Sequence, residues 1–130
     1  ERAATTAHTI RPDRQAESKK AAMVQTVGDD GQLTDGKRVS ELHRLQGYDH
    51  TGDMLVTYLP KEGILGEPDA FTPPAQAGAA LIPPAVPSAK ALSDNIKRLK
   101  LNVKTIAPFH GNRVTTVAEV DKASTAVGTN

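Results

Sequence analysis

Residues 48–69 read YDHTGDMLVTYLPKEGILGEPD, a stretch that predicts two short strands and their flanking turns. A polar turn containing His50 precedes the apolar run 54–59, and a Pro-Lys-Glu-Gly turn leads into a second run. That second run ends shortly before Asp69. Because a rigid scaffold presents the residues at strand ends, such positions commonly carry binding and catalytic groups. His50 and Asp69 are therefore candidate site residues.

A second histidine follows another short apolar run later in the chain. Residues 105–111 read TIAPFHG, so His110 also stands just past a predicted strand. Imidazole nitrogens and carboxylate oxygens are ligand types that zinc takes in proteins. We predict that His50, Asp69 and His110 converge in space, since strands rather than a bound ion position such a scaffold.

The preceding segments predict a meander of short antiparallel strands. Residues 23–27 alternate in polarity, and residues 32–34 form another short run. Asp35 and Gly36 supply a tight hairpin turn, because both residue types tolerate positive φ angles. Residues 37–46 then form the return strand, and the two runs of the opening stretch pair as a further hairpin.

A proline-rich segment and two helices complete the predicted unit. Residues 70–87 hold several prolines, which neither donate to a sheet nor continue a helix, so an extended loop is expected. This loop either borders a site or is a spacer. Ser88 is the predicted N-cap of the first helix, and residues 116–119 begin the second with a capping-box pattern. The inward positions are Leu92, Ile96 and Leu99 in the first helix and Val117, Val120 and Ala123 in the second.

These patterns divide the chain into three parts. Residues 1–22 are predicted to form an extended or partly helical lead-in, residues 23–124 the folded unit, and residues 125–130 a flexible tail. The 130 residues are enough for one domain with a modest core.

Composition excludes several classes of function. The net charge of +1, the two Tyr and two Phe and the absence of Trp argue against nucleic-acid binding. The absence of Cys excludes disulfides and thiolate ligands. No apolar run is long enough to predict a transmembrane helix, so no membrane association is expected. A bacterial cytoplasmic and a periplasmic location are both compatible with this composition.

Taken together, the HTGDMLVTYLP, GILGEPD and TIAPFHG segments resemble the C-terminal half of metallo-β-lactamase-fold hydrolases, from about residue 24 to about residue 123. The resemblance implies an α/β fold, half of an αββα sandwich, with a mainly antiparallel sheet and helices on one face. It also implies that His50 binds a first zinc ion, that Asp69 bridges two zinc ions, and that His110 binds the second. In such enzymes a metal-activated water attacks a carbonyl or phosphoryl centre.

The chain departs from this family at its hallmark HxHxDH motif. The sequence has four histidines, His8, His43, His50 and His110, and no two of them are spaced to form that motif. A catalytic zinc normally takes three protein ligands and keeps an open position. We therefore expect a metal-dependent hydrolase to be the parent protein, and this chain alone to bind zinc weakly and to be inactive.

Other residues around the predicted site leave alternatives open. Asp49 and Asp53 flank His50 and would either orient its imidazole or be solvated turn carboxylates. His43 is expected to be a surface or packed residue of a strand. Because the chain begins at Glu1, the expectation is a fragment, a processed product or a natural short protein.

A second hypothesis makes the chain a non-catalytic domain that self-associates. Half of a sandwich leaves a sheet edge and an apolar face uncovered, and such surfaces mark interfaces. The expected partner is the missing N-terminal half of the same enzyme or, in a dimer, a second copy of the chain.

Overall fold

One mixed sheet organises the protein. The computed structural model describes residues 10–18, 20–21, 23–79 and 85–125. Its strands are β1 (Asp30–Thr34), β2 (Val39–Arg44), β3 (Leu55–Leu59), β4 (Ile64–Glu67) and β5 (Thr105–Pro108), and its helices are α1 (Arg14–Ser18), α2 (Ala85–Arg98) and α3 (Val117–Ser124). The strands lie in the order β1-β2-β3-β4-β5. Neighbours from β1 to β4 are antiparallel, whereas β4 and β5, joined through α2, are parallel.

The two predicted hairpins form where glycine permits a turn. Gly36 adopts a φ of 86° between β1 and β2, and Gly63 adopts 71° between β3 and β4. In the first turn the Asp35 carboxylate accepts hydrogen bonds from the backbone amides of Lys37 at 2.8 Å and Arg38 at 2.7 Å. These bonds hold the pKa of Asp35 below its ordinary value.

The core lies between one face of the sheet and the helices α2 and α3. Tyr58, Leu65 and Ile106 are register partners on adjacent strands, so their side chains share this face. They pack with Leu92 of α2 and Val120 of α3, and all five residues are at most 4% exposed. The α/β class, the mainly antiparallel sheet and the helices on one face are thereby confirmed.

The two helices are tied to each other by polar side chains. Ser93 of α2, which is 1% exposed, donates a 2.5 Å hydrogen bond to Asp121 of α3. Lys97 binds the same carboxylate at 2.8 Å. The Thr116 hydroxyl caps α3 as predicted, accepting from the Glu119 amide at 3.2 Å.

Two sequence predictions about element boundaries are wrong. Residues 23–27 do not form a strand, and Met23 is 97% and Val24 48% exposed. An alternating pattern becomes a strand only where a neighbouring strand satisfies its backbone. Helix α2 begins at Ala85 rather than after Ser88, because Pro87 is tolerated in the first turn of a helix.

Parts of the predicted organisation lie outside the described residues. These are His8 and the rest of residues 1–9, residues 19 and 22 of the lead-in, residues 80–84 of the proline-rich loop, and residues 126–130 of the tail. The described part of the lead-in contains α1, which buries no residue. No helix in the described ranges is long and apolar enough to cross a membrane.

The opposite face of the sheet, here called the open face, is apolar but not buried. Leu59 and Ile64 are register partners on this face and both remain half-exposed. Phe109 is 66% exposed, and its ring lies over Gly66, where an added Cβ would come within 3.2 Å of Phe109 Cε1. At the sheet edge Leu33 is 53% exposed.

Candidate functional site

The structure brings two of the three predicted ligands together. His50 Nε2 lies 3.3 Å from Asp69 Oδ2, with side chains 66% and 43% exposed. His50 belongs to the loop between β2 and β3, and Asp69 to the turn after β4. An ion pair this exposed contributes little to folding stability. The contact instead places an imidazole nitrogen and a carboxylate oxygen where one ion would reach both.

The loop that carries His50 is anchored by helix α2. At its base the Leu45 amide donates to the Met54 carbonyl at 2.9 Å. Asn95, 3% exposed, accepts from the Gln46 amide at 3.0 Å and donates to the Gln46 carbonyl at 2.8 Å. The Asn95 side chain thus satisfies loop backbone groups that would otherwise be unpaired.

The turn that carries Asp69 is held by the buried side chain of Glu67. Its Oε2 accepts hydrogen bonds from the amides of Ala70 at 2.6 Å and Phe71 at 3.2 Å. Glu67 is 0% exposed, and its Oε1 has no partner within the described part of the chain. Burial raises the pKa of Glu67 to about 7, although the two amide hydrogen bonds act in the opposite direction.

His110 lies at the same end of the sheet as Asp69. Glu67 and Pro108 are register partners on the parallel strands β4 and β5. Asp69 and His110 stand two positions beyond them, so both follow the carboxyl ends of neighbouring strands. The Phe109 amide donates to the Glu67 carbonyl at 2.9 Å. Among the described residues, however, no hydrogen bond or ion pair joins His110 to His50 or Asp69.

A salt bridge supports the loop in which His110 stands. The Arg113 guanidinium binds both carboxylate oxygens of Glu119, at 3.0 and 2.9 Å, and its Nε donates to the Pro74 carbonyl at 2.8 Å. The pKa of Glu119 falls to about 2, chiefly through the hydrogen bonds from Arg113. Arg113 therefore connects the loop after β5 to the proline-rich segment.

The donors suit zinc in kind but not in number. Within residues 10–18, 20–21, 23–79 and 85–125, no three His, Asp or Glu side chains are grouped closely enough to hold a metal ion. Two side chains in contact fall short of the three that a catalytic zinc takes from protein. The pair by itself therefore does not meet the ligand requirement of a catalytic zinc ion, and no reaction step follows from it.

Asp49 and Asp53 stand in the same loop as His50, and within the described residues no hydrogen bond joins either carboxylate to the pair. Asp53 accepts a hydrogen bond from the Thr51 hydroxyl, and Asp49 is exposed. Their role in orienting His50 stays a prediction. His43 lies in β2, where its ring nitrogens contact Asp30 at 2.6 Å and Glu41 at 3.2 Å.

Sequence reasoning missed the residues that hold the two loops. Tyr48, Glu67 and Asn95 are all buried and all bind loop backbone. The signal available for Glu67 was a carboxylate inside an apolar run, where a charge must find partners. Asn95 carried a similar signal within the stripe of α2, whereas Tyr48 resembled an ordinary turn residue.

Comparison with solved structures places this arrangement in a known fold. The metallo-β-lactamases TMB-1 and DIM-1 each superpose with a TM-score of 0.54 and 23% identity, over 85% of this chain and 49% of theirs. The chain has the fold of half a metallo-β-lactamase. A metallo-β-lactamase from Pontibacter korlensis superposes with the same TM-score and 20% identity, over 85% of this chain and 51% of its own. At these identities the likeness establishes the fold, and the chain spans about half the length of the structures it matches. Neither family models nor curated proteins gave a match to the sequence.

Proposed function

We propose that the chain supplies the C-terminal half of a metal-dependent hydrolase, with His50, Asp69 and His110 as its share of the metal ligands. The observation that carries the proposal is the 3.3 Å contact between His50 Nε2 and Asp69 Oδ2. The parallel pairing of β4 and β5 supports the third ligand, because His110 and Asp69 then follow the carboxyl ends of two neighbouring strands.

The metal in this proposal is zinc, in two sites of the complete enzyme. A bound zinc ion would lower the pKa of water and polarise the scissile group of the substrate. In this proposal His50 would bind one ion, His110 would bind the other, and Asp69 would bind both. The remaining ligands would come from the half of the fold that this chain does not contain, so the chain alone would not hydrolyse a lactam or an ester.

Zinc titration of the 130-residue chain tests the ligand assignment. We expect weak binding that is reduced at least tenfold in His50→Ala, Asp69→Ala and His110→Ala. His43→Gln is the matched control, because His43 also contacts carboxylates but lies on β2 away from the pair. Equal loss in all four variants, or none in the first three, would refute the assignment. Turnover by the isolated chain that requires zinc and His110 would show that the site is complete.

The open face supports a proposal about partners. An apolar face of several hundred Å² left in water forfeits on the order of 10 kcal/mol, which is comparable to the net stability of a domain. The missing N-terminal half would cover this face in the complete enzyme.

A non-catalytic, self-associating domain is the second candidate function, favoured by the half-exposed residues of the same face. In that case a second copy would cover the open face in a symmetric dimer. Mixing the chain with a separately produced N-terminal half separates the two candidates. Formation of a one-to-one complex with restored zinc affinity supports the enzyme, whereas a homodimer that does not exchange supports the alternative.

A further inference from the structure

Tyr48 contacts both members of the candidate ligand pair. Its hydroxyl donates a 2.7 Å hydrogen bond to the Asp69 carbonyl. Its ring meets the His50 imidazole edge to face, with centroids 6.1 Å apart and planes at 78°. The two contacts join a loop and a turn that follow different strands.

Burial makes these contacts specific. Tyr48 is 6% exposed and belongs to the core on the helix side of the sheet. A buried tyrosine hydroxyl normally finds a hydrogen-bond partner, and here the partner is backbone of the candidate site.

The tyrosine acts where the two loops are otherwise held separately. Asn95 binds the backbone of the His50 loop, and Glu67 binds the amides that follow Asp69. In the described part of the chain, neither of these side chains forms hydrogen bonds to both loops. The hydroxyl of Tyr48 restrains the Asp69 carbonyl, while its ring restricts rotation of the His50 imidazole.

From this geometry we infer that Tyr48 is a positioning residue that sets the separation and orientation of His50 and Asp69 for a shared metal ion. The metal part of this inference rests on the proposed function, whereas the restraint on the two loops does not require a metal. Residues that orient metal ligands in this way typically change metal affinity by about 10- to 100-fold when they are removed.

The matched variants are Tyr48→Phe and Tyr58→Phe. Tyr58 is also buried, and its hydroxyl also donates to a backbone carbonyl, that of Asn102 at 3.0 Å. Both substitutions remove one buried hydroxyl and keep the ring. Any effect of general destabilisation should therefore be shared, and an effect on the pair should belong to Tyr48 alone.

Two readouts on the full chain test the inference. Without metal, hydrogen exchange of the amides of residues 69–71 should accelerate about tenfold in Tyr48→Phe and stay within about twofold of wild type in Tyr58→Phe. With zinc alone as the probe, the affinity should fall about tenfold in Tyr48→Phe only. Equal behaviour of the two variants in both readouts would overturn the inference. Faster exchange without any effect of His50→Ala or Asp69→Ala on zinc would overturn the metal role and leave Tyr48 as the link between the loops.

Discussion

The two faces of the single sheet differ in what covers them. The helix-covered face contains Leu65 and Ile106, both 0% exposed beneath α2 and α3. The open face contains Leu59 of β3 and Ile64 of β4, which are partly buried, together with Phe109 at 66% exposed. Alternation along a strand sends neighbouring residues to opposite faces, so one strand supplies both surfaces. The helices of this chain cover one face of the sheet, and the partner proposed above would cover the other.

Removing one side chain from each face in turn should give the largest difference in the free energy of unfolding. Leu65→Ala should lower the free energy of unfolding by about 3 kcal/mol, because it leaves a cavity in a packed core. Leu33→Ala on the exposed sheet edge should cost less than about 1 kcal/mol in the monomer. Urea unfolding of both variants measures this, and equal losses would contradict the assignment of the two faces.

The buried carboxylate of Glu67 should make the covered face sensitive to pH. Its pKa of about 7 in the folded protein lies above the ordinary value of 4.5. The folded state therefore holds the proton more tightly than the unfolded chain does. Stability is full below the ordinary pKa and is lost as the pH rises through about 7, by on the order of 3 kcal/mol.

Glu67→Gln should remove that part of the pH dependence, since the amide stays neutral. Urea unfolding at about pH 5 and about pH 8 measures the difference between the two proteins. Glu17→Gln in the exposed helix α1 is the control and should behave as wild type. If Glu67→Gln loses as much stability as wild type between these two pH values, Glu67 does not carry the effect.

A smaller effect is expected where the covered face anchors the candidate site. Asn95→Ala leaves the Gln46 backbone groups without partners and should cost about 2 kcal/mol. Asp94→Ala, one residue earlier on the exposed side of α2, removes a surface ion pair with Lys90 and should cost less than about 0.5 kcal/mol. Similar losses would show that the loop is not held by Asn95.

The sequence was most informative where the pattern is local. The hairpins at Gly36 and Gly63 follow from turn residues, and the cap at Thr116 follows from a hydroxyl three positions before a carboxylate. The strand predicted at residues 23–27 is absent because strand formation also needs a neighbouring strand, which an alternating pattern does not supply. The early start of α2 was missed because proline breaks helices in their interior but not in their first turn.

The candidate site also has parts that the sequence predicts and parts that it does not. His50 and Asp69 were predicted to converge, and their side chains lie 3.3 Å apart. The convergence of His110 stays a prediction, because no hydrogen bond or ion pair joins His110 to either residue within the described part of the chain. The roles of Tyr48 and Asn95 depend on contacts between distant segments, which no single stretch of sequence reveals.

The substitution with the smallest expected effect on monomer stability, Leu33→Lys, should clearly weaken self-association. Leu33→Lys introduces a charge on the edge of the open face, where it remains in solvent in an isolated chain. A charged side chain costs free energy when it is buried in an apolar contact between two faces. We expect the melting temperature of the dilute protein to stay nearly constant while self-association weakens at least tenfold. Gln32→Lys, at the neighbouring position in β1, is the control for added charge.

Sedimentation of the purified chain at micromolar concentration tests most directly whether the open face needs a partner. The predicted result is a dimer or larger assembly that dissociates on dilution, with a melting temperature that falls as the protein is diluted. A monomer that melts cooperatively across the whole concentration range would contradict this account, because the open face would then need no cover.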